Sequence, residues 1–161
     1  MINLYPTPTE LKEYEGKFIF DYVSIRGGNE RIFSDTLSDI TLSSEKTPNI
    51  EYIEKNDLPE EAYEITVNEQ GVKVYYGTDS GGFYATQTLL QLIDKKEIPY
   101  LEIKDRPLLK HRDLSFDICR GKVPMMEHFK EIIDNLAKAR YNALLIYTED
   151  ATVQIPVLKN I

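Results

Sequence analysis

Between residues 113 and 147 the apolar residues change their spacing twice, and this restricts the fold more than any other feature of the chain. Leu114, Phe116 and Ile118 alternate with Ser115, Asp117 and Cys119, the two-residue period of a strand with one apolar and one polar side. Pro124 suits a first helical turn. Met126, Phe129, Ile132, Ile133 and Leu136 then make a wide apolar stripe opposite Glu127, Lys130, Glu131, Asp134 and Lys138, and Asn142 marks the exit. Residues 143–147 (ALLIY) run apolar without interruption, as expected of a parallel strand covered on both sides. A strand, helix, strand unit of this kind takes a right-handed crossover, and two strands are too few to shield its apolar faces. The segment therefore predicts part of a larger β/α architecture. Its uncovered faces predict self-association or packing onto the preceding residues.

Residues 17–105 follow a different grammar, of short β-rich runs interrupted by two helical stretches. Residues 17–25 (KFIFDYVSI) are β-branched and aromatic and predict a strand. Ile32, Phe33, Leu37 and Ile40 recur at spacings of three to four and predict a helix. A short strand is expected over 50–54. Residues 62–68 and 72–76 flank Glu69-Gln70-Gly71, where glycine can take the positive φ of a tight hairpin loop. After Thr78-Asp79-Ser80-Gly81-Gly82, whose side-chain oxygens can cap free amides, Phe83, Thr86, Leu89, Leu90 and Ile93 form the stripe of a helix of about four turns. A strand over 100–103 ends at Lys104-Asp105-Arg106-Pro107, and the domain boundary is expected there because proline interrupts regular pairing.

With 161 residues, 42% of them hydrophobic, the chain can bury a core for one ordinary domain, or for one small domain plus a fragment. Its net charge of −8 would repel phosphate backbones, so no nucleic-acid partner is expected. No signal-like start and no apolar run of about 18 residues is present, which predicts no membrane partner and a cytoplasmic location. A single cysteine, Cys119, leaves no internal disulfide, and His111 and His128 are too few for a zinc cluster. No metal or cofactor is expected.

Three stretches carry a family resemblance. They are Gly81-Gly82-Phe83-Tyr84-Ala85-Thr86-Gln87-Thr88-Leu89-Leu90-Gln91-Leu92; Asp105-Arg106-Pro107 with His111-Arg112-Asp113-Leu114-Ser115-Phe116-Asp117-Ile118-Cys119-Arg120; and the run from Lys122-Val123-Pro124 through Leu136-Ala137-Lys138-Ala139-Arg140-Tyr141-Asn142 to Leu145-Ile146-Tyr147-Thr148-Glu149-Asp150. Together they resemble the beta-N-acetylhexosaminidases of glycoside hydrolase family 20. The likeness covers about residues 60 to 150, and earlier residues fit only by position and element order. It implies an α+β accessory domain over residues 1–105, called zincin-like though it binds no zinc, and the start of a (β/α)₈ glycosidase barrel over 106–161, truncated. A full barrel takes roughly 250 residues.

The resemblance further implies an enzyme that removes terminal N-acetylhexosamine. Family members use a neighbouring aspartate and glutamate on a later barrel strand. The glutamate is the general acid, and the aspartate orients the substrate's 2-acetamido oxygen, which is the nucleophile, outside the usual two-carboxylate scheme. Nothing in this chain matches that pair, so it is expected to be inactive alone. Arg120, in an Asp-x-x-Arg pattern with Asp117, is the residue that carries over: in the family it binds hydroxyls of the terminal sugar. A guanidinium offers a rigid fork of donors, and barrel sites form at strand C-termini. Asp117 is expected to orient Arg120 or face the barrel interior. Glu149 and Asp150, ending the second strand, are expected at the same cleft. From Ala151 the chain departs from the loop that would lead to a second barrel helix.

Plainer readings stand beside these. On local pattern alone Asp117 and Arg120 read as a structural ion pair at a strand end, and it is the resemblance that turns the reading to sugar binding. Gly81-Gly82 lacks the spacing and lysine of a P-loop and reads as a helix start. Cys119 reads as a small buried side chain, His111 and His128 as surface residues, and Glu60-Glu61 as a solvated edge. Adjacent acids on a strand point to opposite faces, which bars a carboxylate pair at Glu60-Glu61 or Glu149-Asp150. The 11 tyrosines are spread along the chain and none is assigned to sugar stacking. A free-standing carbohydrate-binding or interaction module derived from such an enzyme is the alternative function. Related accessory domains also precede barrels in alpha-glucuronidases and O-GlcNAc hydrolases, but the Arg120 and Tyr147-Thr148-Glu149-Asp150 passages look more like family 20.

Overall fold

The computed structural model describes residues 2–28, 41–43, 45–120 and 124–148. The helix expected over 32–40, the acids Glu149 and Asp150, and the departure after Ala151 lie outside these residues. The chain divides into two compact units, Met1–Leu108 and Leu109–Ile161.

The first unit is an α+β domain on a mixed six-stranded sheet. Its strands are β1 (Glu10–Ile19), β3 (Ile25–Arg26), β5 (Ile50–Glu54), β6 (Tyr63–Asn68), β7 (Gly71–Tyr76) and β8 (Glu97–Asp105), arranged in the order β1-β8-β6-β7-β5-β3. β2 (Tyr22–Val23) and β4 (Thr41–Leu42) form a separate parallel pair. Pairing is antiparallel from β1 through β7 and parallel among β7, β5 and β3. Strict alternation in β6 buries Tyr63, Ile65 and Val67 on one face, where Val72, Val74, Leu101 and Ile103 from the neighbouring strands join them. Helix α1 (Asp79–Leu92) packs over β6 and β7 and adds Tyr84, Ala85, Leu89 and Leu92 to this core.

The other face of the sheet has the opposite chemistry. Register places Lys12, Glu102, Thr66, Lys73, Glu51 and Arg26 in one row across six strands, so that neighbouring charges alternate in sign. The row two residues away begins Glu10, Lys104, Glu64, and the Glu64 carboxylate takes Lys55 at 3.2 Å and Lys104 at 3.9 Å. Opposite charges directly across strands favour this register, and a charged outer face resists sheet-on-sheet stacking.

The hairpin forms as expected: Asn68 pairs with Gly71 around a two-residue loop, and Gly71 takes φ +126. A Cβ there would lie 2.6 Å from the Asn49 carbonyl oxygen, so only glycine fits. Three expectations need correction. Residues 17–25 are not one strand. β1 begins seven residues earlier, at Glu10, and ends at Ile19; the rest of the run changes partners, β2 pairing with β4 and β3 with β5. Asn49 makes that switch possible, because its side chain accepts Ser24 N–H at 2.9 Å and donates to Tyr22 O at 2.6 Å. The charged first half of β1 escaped periodicity because an edge strand with both faces largely wet needs no apolar alternation. β8 likewise runs past Pro99 in both directions. β6 pairs only with Leu101–Asp105 of it, which leaves the missing proline donor outside that ladder. Finally, Thr78 is the N-cap of α1 but makes no side-chain cap bond.

Burial on α1 is also broader than one stripe, since Thr86, Gln87 and Thr88 are buried. Their polarity is met locally. Thr86 Oγ1 and Thr88 Oγ1 donate to Gly82 O and Tyr84 O, and each sits 2.7 Å from a tyrosine hydroxyl, Tyr52 and Tyr63 respectively. Burial pushes the Tyr52 phenol far above the ordinary tyrosine range and keeps it neutral.

The second unit consists of β9 (Asp113–Asp117), α2 (Met126–Lys138) and β10 (Ala143–Tyr147). β9 and β10 are parallel, in register from Ala143↔Asp113 to Tyr147↔Asp117. Phe116 and Phe129, their ring centroids 6.1 Å apart, join helix to sheet. Pro124 stands one residue before the N-cap Met125 and not inside the helix. The exit is made by Arg140 (φ 60): Tyr141 N–H bonds Leu136 O at 2.9 Å and Arg140 N–H bonds Ala137 O at 3.0 Å, a Schellman ending with arginine at the left-handed position. Asn142 ties the start of β10 to the start of β9 by accepting Arg112 N–H at 3.0 Å and donating to Lys110 O at 2.8 Å. The expected cover on both sides of β10 is not found among the described residues. Leu145 is 60% exposed and Ile146 42%, and no residue of α2 is fully buried. Among the described residues, the apolar run that suited a buried strand pairs with β9 alone.

Candidate functional site

The C-terminal ends of β9 and β10 gather the polar residues of the second unit. β9 ends on Asp117, and the turn after it is built on that side chain: Oδ1 accepts Cys119 N–H at 2.8 Å and Arg120 N–H at 3.2 Å. Asparagine and aspartate hold turns this way because their short side chains reach the backbone two and three residues on. The other carboxylate oxygen, Oδ2, lies 3.9 Å from Arg120 Nε. Asp117 thus holds the Arg120 backbone and lies near its guanidinium.

The pair is largely in water, with side-chain exposures of 69% for Arg120 and 38% for Asp117. Ion pairs this open contribute only about 0–1 kcal/mol. A purely structural brace is therefore a weak account of them, whereas an open guanidinium beside a capped turn suits recognition of neighbouring oxygens.

Tyr147, which sequence reasoning assigned no role, stands directly opposite Asp117 in the parallel register. Its ring lies under the guanidinium, with the centroid 5.7 Å from Arg120 Cζ. Its carbonyl accepts Ile118 N–H at 3.2 Å and faces Cys119 Sγ at 3.7 Å. The signal that could have found it was the register itself, since aligning the two strand ends by length pairs Tyr147 with Asp117. Cys119 is half-buried in this turn, and His111 and His128 are exposed. Glu149 and Asp150 lie outside the described residues, so the cluster as described is Asp117, Arg120 and Tyr147 with Cys119 behind them. Among the described residues no group of three or more His, Cys, Asp or Glu side chains could hold a metal ion.

Chemically this arrangement offers an open guanidinium beside a carboxylate and an aromatic ring. Asp117 spends one oxygen on backbone amides and turns the other toward a cation, which suits it to holding a neighbour in place.

The Glu60-Glu61 pair lies elsewhere, in the turn leading to β6, where Glu61 takes φ 64. Gly81, in the first turn of α1, lies against the backbone of residues 61–62, too close for a phosphate cradle, and Gly82 faces the Tyr76 ring.

Residues 1–106 match the sequence profile of glycosyl hydrolase family 20, domain 2. Over 98% of its length the chain is 27% identical to a beta-hexosaminidase of Porphyromonas gingivalis, of which it covers 24%. It superposes on the exo beta-N-acetylglucosaminidase of Vibrio harveyi, solved in complex with N-acetylglucosamine, with a TM-score of 0.82 at 25% identity, over 98% of this chain and 28% of that one. The beta-N-acetylhexosaminidase of Bacteroides fragilis shares the fold, with a TM-score of 0.81 at 22% identity, over 98% of this chain and 37% of that one. The chain spans between about a quarter and two fifths of these relatives.

Proposed function

Since the chain belongs to glycosyl hydrolase family 20, we propose that residues 1–105 are its non-catalytic accessory domain and residues 106–161 the opening of a (β/α)₈ barrel that removes terminal N-acetylhexosamine by substrate-assisted retaining hydrolysis. Arg120 grips hydroxyls of the terminal sugar, Asp117 orients Arg120, and Glu149 and Asp150 belong to the same cleft. The observation that carries this reading is the parallel β9, α2, β10 unit, with its polar cluster at the C-terminal strand ends where barrel sites form. Residues 1–161 by themselves bind without turning over, because none of them matches the family's neighbouring aspartate and glutamate. Incubated with p-nitrophenyl N-acetylglucosaminide, the purified chain is expected to release no nitrophenol above the blank. Sustained turnover that copurifies with the chain would sink this reading.

The uncovered β10 supports self-association of the chain. Leu145, Ile146 and Tyr147 are all at least 41% exposed on a strand paired along one edge. Residues 109–161 carry eight basic against seven acidic side chains, whereas residues 1–108 carry 11 against 20, so the second unit is the part that does not repel its own copy. Light scattering should give a mass above the monomer's 18.6 kDa that falls on Leu145→Lys substitution. A wild-type monomer at high concentration would refute it.

A further inference from the structure

Resting on the reading of Arg120 as the sugar-gripping residue, we propose that Tyr147 is its positioning residue, the Tyr147 ring and carbonyl together holding the turn 117–120 and its guanidinium at the C-terminal edge of the β9/β10 pair.

Asp117 fixes the Arg120 backbone more firmly than its guanidinium. Its free oxygen stands 3.9 Å from Nε, beyond ordinary hydrogen-bond length, and the arginine side chain is 69% exposed on a flexible stem. Tyr147 supplies what a distant carboxylate lacks. Its ring meets the guanidinium from the side of β10, 5.7 Å from Cζ to the centroid, and so limits rotation about the stem. Its carbonyl accepts Ile118 N–H at 3.2 Å, which fixes the backbone that leads into Arg120. The parallel register makes both contacts follow from one residue, since Tyr147 is the strand partner of Asp117. Recognition of adjacent hydroxyls by a guanidinium fork depends on where its plane lies, so a group that sets the plane sets the grip.

The stacking can be read without any sugar. In the full chain, the Arg120 Hε proton should resonate upfield of an ordinary arginine because it lies near an aromatic ring. Tyr147→Phe should keep that shift, and Tyr147→Leu should return it to the ordinary position. Tyr147→Val, with its strand propensity, serves as a second ring-free variant should the leucine variant fold poorly. An Arg120 Hε signal that stays put in the ring-free variants overturns the proposal. Titration with N-acetylglucosamine then reads the consequence: Tyr147→Leu should weaken binding about two- to five-fold, with Tyr147→Phe restoring it. If Arg120→Ala abolishes binding while Tyr147→Leu leaves it unchanged, the positioning role fails. If the wild type gives no saturable signal, or Arg120→Ala leaves it intact, the sugar-gripping reading fails instead, and the ring-current measurement remains the judge of Tyr147.

Discussion

Replacing Asp105 with alanine is expected to destabilise the first unit by about 3 kcal/mol, a large share of the roughly 5–15 kcal/mol that holds a domain together. Asp105 ends β8 and is 8% exposed. One carboxylate oxygen accepts both the backbone N–H and the hydroxyl of Thr9, each at 3.0 Å, and the other accepts the Tyr63 hydroxyl at 2.9 Å. Tyr63 in turn meets Thr88 on α1 at 2.7 Å, so the carboxylate links the residue before β1 to a central strand and its helix. Alanine would take the acceptor from the Tyr63 hydroxyl in the core and from Thr9 at the surface, and a buried hydroxyl that loses its charged acceptor costs more than the bond itself had contributed. Asp105→Asn keeps the shape and one carbonyl acceptor, and should lose about half as much. Urea unfolding followed by circular dichroism measures both. An alanine variant within about 0.5 kcal/mol of wild type would mean the network is incidental.

The second large effect separates two adjacent glycines. Gly81→Ala is expected to cost about 2 kcal/mol, and Gly82→Ala to gain up to about 1 kcal/mol. Both lie in the first turn of α1, where alanine is the better helix former. A Cβ on Gly81 would lie 2.5 Å from the Ala62 carbonyl oxygen, which is fixed by accepting Gly77 N–H at 3.2 Å, so backbone must move. A Cβ on Gly82 would meet the Tyr76 ring at 3.5 Å, an ordinary contact. Opposite signs in thermal melts of the two variants are the expected result. Equal effects would show that the packing at Ala62 relaxes freely.

These two predictions also mark how far the sequence reaches. The hairpin at Gly71, helix α1 and the β9, α2, β10 order were legible because each depends on near neighbours: a loop glycine, a 3.6-residue stripe, a run of alternating or continuous apolar residues. The Asp117 and Arg120 pairing was legible for the same reason, since three positions bring them together across one turn. Asp105 was visible only as the end of a strand. Its partners at Thr9, 96 residues away, and Tyr63, 42 away, come from pairings that no local pattern encodes.

Local order, then, was determined by the sequence alone, together with the family likeness carried by stretches such as 81–92 and 105–120. Tertiary structure decided what lies opposite what. It broke the run 17–25 among three partners, because Asn49 bridges Tyr22 and Ser24 from 27 and 25 residues away. It laid alternating charge across six strands that are scattered through the chain. It also set Tyr147 beneath Arg120, because a parallel register brings together strand ends that the intervening helix keeps 30 residues apart. A side chain's neighbours along the chain follow from dihedral periodicity, whereas its neighbours across a sheet follow from register, and register is settled only when all the strands pack at once.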